Sequence, residues 1–295
     1  MLADLPSLLF NALVWGMATF LVAAGLSLVF GILHVLNFSH GGFFMIGAYV
    51  AYTLTNVSTA MNSIWGFAAA SVLAAIVIGL AGLVVDRAVF RRLAAVEGVY
   101  VLVATYALLL VCNGVVKLVW GMNVFSSDPP PELFEVTILG DLVMPHYSLF
   151  VIGAGLAVYL FLEWLITGTS VGRLIQAIAI DPWMARLLGI NVGFVYSATV
   201  VLGFALAGLA GGFLVANQSL SPELASIFVI QAFGVVIIGG MGSIRGAFLG
   251  SILLGLVDSF GAALLPDMPG VLFFVALALI LLLRPQGLFA SGRLA

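Results

Sequence analysis

Long runs of apolar residues, interrupted by only a few polar positions, dominate the chain. Several runs reach the roughly 20 residues that a helix needs to cross a bilayer. They cover 9–31, 40–56, 64–86, 99–119, 147–167, 194–215, 225–241, 246–265 and 270–283. Because these runs are apolar on every side, they predict transmembrane helices and not barrel strands, in which polar and apolar residues alternate. The stretches 40–56, 225–241 and 270–283 are short, so we expect broken, tilted or re-entrant helices there.

The composition agrees with this pattern. Of 295 residues, 64% are hydrophobic and 7% charged, whereas a soluble domain is about half apolar and about a quarter charged. This composition excludes an ordinary soluble enzyme and a disordered chain. With a formal net charge of −3, the chain also lacks the basic surface that nucleic-acid binding requires. We expect one all-α polytopic domain over 1–295, embedded in lipid, with about eight or nine transmembrane helices.

The basic residues predict the orientation of these helices. With nine spans, eight of the nine basic residues fall on one side, and only Lys117 falls on the other. The eight are Arg87, Arg91, Arg92, Arg173, Arg186, Arg245, Arg284 and Arg293. Basic residues close to the ends of spans favour the cytoplasmic side. The C-terminus is therefore expected inside and the N-terminus outside, unless 40–56 dips into the membrane and returns.

One long connection, 120–146, is expected on the external side. It contains three consecutive prolines at 129–131, with acidic residues at Glu132, Glu135 and Asp141. Prolines lack amide donors and favour an extended polyproline segment. The sequence therefore predicts an exposed, extended loop.

A second long connection, 168–193, lies on the cytoplasmic side. Asp181 can cap a short helix that begins at Pro182, and Gly189 can end it. The helix before it is expected to have one apolar side, formed by Leu174, Ile175, Ile178 and Ile180. The residues alone favour equally a docking surface for another protein and an interfacial helix on lipid headgroups.

Polar residues and glycines inside the apolar runs are candidates for a transport pathway. The 34 glycines are explained by close helix packing, but 239–243 and 37–42 can also break helices, as in transporter binding sites. The pathway candidates are Asn37, Ser39, His40, Gln231, Gly239 and Gly240, with Asn113 and Gln218 as further polar positions. Hydrogen bonding between helices remains an equal explanation for the polar ones.

The ionisable residues indicate where the energy for transport comes from. Glu163 and Lys117 lie near the ends of spans, and Asp258 stands alone within one. The apolar runs contain no series of acidic residues and histidines of the kind that couples transport to ions. The sequence also contains no phosphate-binding loop that would indicate nucleotide hydrolysis by this protein. Cys112, His34 and His40 do not form a metal-ligand set. We expect no cofactor, no metal and no catalysis here, and an energy source in a partner.

Three segments together resemble the membrane permeases of bacterial branched-chain amino acid ABC importers, of the LivH type. The first is Gly25–Gly31 followed by the Asn37–Tyr49 segment, which is similar to the family's "NFAHG…MxGAY" signature. The second runs from Gly172-Arg173 through Asp181 and Ala185 to Asn191, and the third from Phe233 to Gly250.

The resemblance implies a heteromeric importer in the bacterial inner membrane. Its other parts would be a second permease, two cytoplasmic ATPases that consume ATP, and an external substrate-binding protein. The resemblance also implies that 168–193 couples to the ATPases, through Gly172, Arg173, Ala177, Asp181, Ala185 and Gly189. The alternatives are an ion-coupled secondary transporter acting alone, an ABC importer for urea or amides, and a scaffold or intramembrane enzyme.

Overall fold

A computed structural model describes residues 5–57, 63–93, 96–140, 142–268 and 270–288. In these ranges the chain forms eleven helices and one β-hairpin. The helices are α1 (Leu5–Leu33), α2 (Ser39–Val57), α3 (Ile64–Val85, extended by a π-helical turn at Asp86–Phe90 and by Arg91–Leu93), α4 (Gly98–Val119), α5 (His146–Gly168), α6 (Ser170–Ile180), α7 (Pro182–Leu187), α8 (Val192–Leu214), α9 (Leu224–Gly239), α10 (Ile244–Leu264) and α11 (Val271–Leu283).

Six of these helices are long and apolar enough to cross a membrane: α1, α3, α4, α5, α8 and α10. Helices α9 and α11 have only 16 and 13 residues, and α2 has 19. This confirms a predominantly helical polytopic protein in which three of the expected spans are short. Helices α6 and α7 are the two short helices expected within 168–193.

Contacts between helix termini define two ends of the bundle. At one end, Arg91 donates to the carbonyl of Gly193 at 3.5 Å, and Arg245 forms an ion pair with Glu163. We call this the arginine-rich end; α6 and α7 lie here. At the opposite end, Ser259 Oγ donates to the carbonyl of Leu8 at 2.7 Å. The start of α1 therefore lies away from the arginines, as expected.

Helix α2 begins inside the bundle. Near its start, the His40 ring (Nε2) is hydrogen-bonded to the carbonyl of Val22 at 2.9 Å. Val22 precedes the end of α1 by 11 residues, about 16 Å of helix. Further along α2, Thr53 accepts a hydrogen bond from Trp120 Nε1 at the opposite end, at 2.8 Å. The connection 34–38 therefore runs back into the bundle and α2 continues to the opposite end, so the alternative in which 40–56 returns to its starting side is wrong.

Small residues let the central helices approach closely. A methyl group added to Gly47 on α2 would lie 2.6 Å from the Cα of Gly208 on α8. Gly25 on α1 and Gly203 on α8 face each other in the same way. The close helix packing expected from the glycines is therefore present, and α1, α2 and α8 form the buried centre.

The connection 120–146 is more ordered than expected. Strands β1 (Val136–Leu139) and β2 (Leu142–Pro145) pair antiparallel, with Val136 opposite Pro145, and Pro131–Leu133 form a 3₁₀ turn. This hairpin was not predicted; in it, strand pairing satisfies amides that an unpaired loop would leave to water. Asp141 and Arg293 lie outside the described residues.

Candidate functional site

The connection 168–193 forms two capped helices at the arginine-rich end. Asp181 Oδ1 accepts hydrogen bonds from the amides of Trp183 and Met184, both at 2.9 Å, and so caps α7. Thr169 caps α6 by accepting from the amide of Gly172 at 3.1 Å. Gly189, with a φ of +82°, follows the end of α7 in the left-handed region that favours glycine. The predicted roles of Asp181 and Gly189 in shaping this segment are confirmed.

The four apolar residues predicted to line one side of α6 lie on two different sides. Ile175 and Ile178 pack with Ile32 at the end of α1 and with the start of α8. Leu174 and Ile180 instead point outward, with exposed fractions of 36% and 77%. The prediction that all four residues line one side of the helix is wrong, because the contact with α1 selects positions three residues apart along α6.

The candidate coupling residues divide into two groups. Gly172 and Ala185 are buried, and Gly172 packs against the backbone of Leu165 and Ile166. Arg173, Ala177, Asp181 and Gly189 are exposed. The first group therefore holds the segment on the bundle, and only the second group is available to a partner.

The outward side of α6 and α7 is largely apolar. We call this surface the outer face; it comprises Val171, Leu174, Ile180, Trp183, Leu187 and Leu188. Trp183 is 63% exposed. Large apolar side chains that the chain itself leaves exposed, on helices outside the long apolar spans, are candidates for an interaction surface.

The glycines at 239–242 form a helix break, as predicted. Helix α9 ends at Gly239, and Gly240 and Gly242 have φ values of +96° and +83°. Ser243 then caps α10 by accepting from the amide of Gly246 at 3.0 Å. A side chain on Gly239 would overlap the backbone of Gly246. The structure thus favours close packing of α9 on α10 at this break, and neither Gly239 nor Gly240 lines a cavity described below.

The polar pathway candidates are not gathered into one site. Ser39 and His40 are buried at the start of α2, Gln231 is half-buried on α9, and Asn113 is half-buried on α4. Gln218 lies in the connection that follows α8.

Of these candidates, Asn37 lines the first of two cavities described below. This cavity, of about 450 Å³, lies at the arginine-rich end between the end of α1, the π-helical turn, α4, α7 and α8. Its polar lining residues are Asn37, Asp86, Arg91, Thr105, Arg186 and Tyr196. A second cavity, of about 630 Å³ between α5 and α8, has an almost wholly apolar lining.

An ion pair between a buried carboxylate and a half-exposed arginine forms one wall of the polar cavity. Asp86 is 2% exposed, accepts a hydrogen bond from Arg91 Nε at 3.1 Å, and also accepts one from the hydroxyl of Ser197. Arg91 Nη2 donates to the same Ser197 oxygen at 2.5 Å. Asp86 was not among the predicted site residues, although an acid directly before three closely spaced arginines was a signal of such a pair.

Comparisons with known proteins place the fold in a family. Residues 8–283 match the model of a family described as "Branched-chain amino acid transport system / permease component". The high-affinity branched-chain amino acid transport system permease proteins BraD of Pseudomonas aeruginosa and LivH of Escherichia coli K12 are each 30% identical to this chain, over 95% of it and 94% of their own length.

A more distant relative is a differently named permease. The high-affinity branched-chain amino acid transport system permease protein LivM of Salmonella typhimurium is 26% identical over 92% of this chain and 68% of its own length. No solved structure matches the chain. The chain belongs to the family of branched-chain amino acid transport system permease components.

Proposed function

We propose that this chain is a permease subunit of an ATP-driven ABC importer in the bacterial inner membrane, and that its cargo is a branched-chain or related aliphatic amino acid. It forms the translocation pathway with a second, related permease. Two ATPases bind at the arginine-rich end, and an external binding protein delivers the cargo at the opposite end. The family membership and the similarity to the branched-chain amino acid permeases LivH and BraD support this proposal.

The proposal that ATPases couple to this chain rests mainly on the outer face of α6 and α7. It lies outside the long apolar helices, is shaped by its own caps, and presents Trp183 and Leu187 to the surroundings. Its buried side rests on Ile32 of α1 and on the start of α8. A partner that pushes on the outer face therefore pushes directly on two of the central helices.

A second connection leads from this segment to the helix break. Helix α5 precedes α6 directly, and Glu163 on α5 forms an ion pair with Arg245 at the start of α10. Gln176 on α6 donates to the carbonyl of Ile166 on α5 at 3.1 Å. Displacement of α6 would thus reach the break at 240–243 through α5 and this ion pair.

Two other transport functions remain testable. An ion-coupled carrier would work without ATPases, and an importer for urea or amides would use the same subunits with a different binding protein. The relatives named above favour an amino acid as cargo. Uptake by the purified chain alone, and uptake assays with leucine, urea and acetamide on the whole complex, separate these cases.

The docking of the ATPases can be tested with a pair of tryptophans. Trp183 lies on the outer face, and Trp65, which is 83% exposed, lies at the start of α3 near the opposite end. We expect Trp183→Asp to abolish co-purification of the ATPases and Trp65→Asp to leave it unchanged, with equal membrane insertion of both. If the ATPases still co-purify with Trp183→Asp, or if both variants lose them equally, the outer face is not their docking surface.

A further inference from the structure

The polar cavity at the arginine-rich end contains an unused hydrogen-bond donor. Asn37 is 2% exposed, and its Nδ2 has no hydrogen-bond partner among the described residues. Its Oδ1 accepts from the amide of Ser39 at 3.1 Å and from the Ser39 hydroxyl at 2.6 Å. These two bonds fix which end of the amide is the oxygen, so the NH₂ group is the end without a partner. A buried donor without a partner is unfavourable unless a ligand or water accepts from it.

The charges around the cavity favour an anionic group. Asp86 is paired with Arg91 inside the structure, so these two charges compensate each other. Arg186, on α7, lines the same cavity and has no ion-pair partner among the described residues. The lining therefore carries one uncompensated positive charge, and a carboxylate can accept hydrogen bonds from both a guanidinium and an amide.

The rest of the lining fits a small amphipathic molecule. Leu33, Val35, Phe90, Val101 and Val192 form apolar walls. Tyr196 lines the same space, and its hydroxyl oxygen can accept a hydrogen bond from an ammonium group. The volume of about 450 Å³ lies within the roughly 300–1,000 Å³ typical of small-molecule sites.

We propose that this cavity binds the α-carboxylate of an aliphatic amino acid through the Asn37 amide and the Arg186 guanidinium. The amino acid would occupy this cavity as the last site before it leaves the permease at the arginine-rich end. This inference rests on the proposed function and adds to it a position and a set of contacts. Because Arg186 belongs to α7, movement of the α6–α7 segment would withdraw one of the two carboxylate contacts and release the cargo.

A cysteine in the cavity wall tests the site. The probe is Val101→Cys in a Cys112→Ala background, in the assembled importer without ATP, in nanodiscs of phosphatidylcholine so that anionic headgroups are absent. The rate of reaction with a small methanethiosulfonate reagent is measured with saturating leucine, with leucinamide, which lacks the carboxylate, or without additive. We expect leucine to slow the labelling several-fold and leucinamide to leave it unchanged.

Substitutions at Asn37 and Arg186 test whether these two residues contact the carboxylate. Asn37→Asp and Arg186→Gln should each abolish the protection by leucine, because one adds a repelling charge and the other removes the attracting one. Asn56→Asp makes the same chemical change at the exposed far end of α2 and should keep the protection. Since Arg186 is exposed, its variant tests the site even where Asn37→Asp does not fold.

Two results would overturn the inference. One is equal labelling with and without leucine in a complex that still performs ATP-dependent leucine uptake; this would leave the proposed function standing. The other is protection by leucinamide as strong as that by leucine, which would exclude carboxylate recognition. Failure of the proposed function itself would be seen separately, as absence of ATP-dependent uptake by the unmodified complex.

Discussion

Arg91 Nε donates to the carboxylate of Asp86, five residues earlier, at 3.1 Å. The π-helical turn Asp86–Phe90 makes this pairing possible, because it adds one residue to the turn that joins them. Asp86 is buried and Arg91 half-exposed, so the arginine balances a charge that water does not reach. The pair also fixes the wall of the polar cavity next to α8.

Removal of Arg91 should destabilise the protein through this buried carboxylate. We expect Arg91→Ala to lower the free energy of unfolding by about 1–3 kcal/mol, the cost of a buried polar group without its partner. Thermal unfolding of the purified protein in detergent measures the change. The added substitution Asp86→Asn should restore part of the loss, since it removes the uncompensated charge. The exposed neighbour Arg92→Ala is the control, and an equal loss in both single variants would contradict the role of the pair.

Asp181 should be essential for the shape of the docking segment. Proline would fix φ near about −65°, whereas Asp181 has a φ of −148° and its amide donates to the carbonyl of Ala177 at 3.0 Å. Asp181→Pro also removes the cap of α7, worth about 0.5–2 kcal/mol. We expect loss of ATPase co-purification with normal membrane insertion. Asp181→Asn can still cap and should retain the ATPases; its complete failure would show that the charge, and not the cap, matters.

The close contact at the helix break should not tolerate a side chain. In Gly239→Leu the new side chain overlaps the backbone of Gly246, and overpacking of this kind costs about 1–3 kcal/mol. We expect transport by the complex to stop. Gly153→Leu is the matched control, because a methyl group added there meets no atom within 4 Å. Near-normal transport by Gly239→Leu would show that α9 and α10 separate at this point.

The ion pair between Glu163 and Arg245 should matter more for coupling than for stability. Arg245 is 68% exposed, and exposed pairs contribute about 0–1 kcal/mol. We expect Glu163→Gln to leave the unfolding temperature almost unchanged but to reduce the transport obtained per ATP hydrolysed. The exchange Glu163→Arg with Arg245→Glu should recover part of the coupling. Unaltered coupling in the single variant would remove this pair from the path between α6 and the break.

Features set by neighbouring residues were predictable from the sequence. The cap at Asp181, the end of α7 at Gly189 and the break at 239–243 depend on side chains and glycines within a few positions of each other. Each was predicted and is present. The apolar runs likewise predicted the long helices, because lipid requires backbone groups to bond within the segment.

Features set by distant residues were not predictable in this way. The outward position of Leu174 and Ile180 follows from the contact of α6 with Ile32, which no local pattern reveals. The π-helical turn at Asp86 and the start of α2 inside the bundle are similar cases. The polar cavity combines residues from five parts of the chain, so Asn37 could be named as a candidate, but its position beside Asp86, Arg91 and Arg186 could not be predicted.

The most direct test of the account is uptake of radiolabelled leucine into proteoliposomes of defined composition. The complete complex, with the second permease, the ATPases and the binding protein, should accumulate leucine only when ATP reaches the ATPases. The chain alone should accumulate none under a proton or sodium gradient. Accumulation by the chain alone would contradict the account, as would a complete complex that concentrates leucine without ATP.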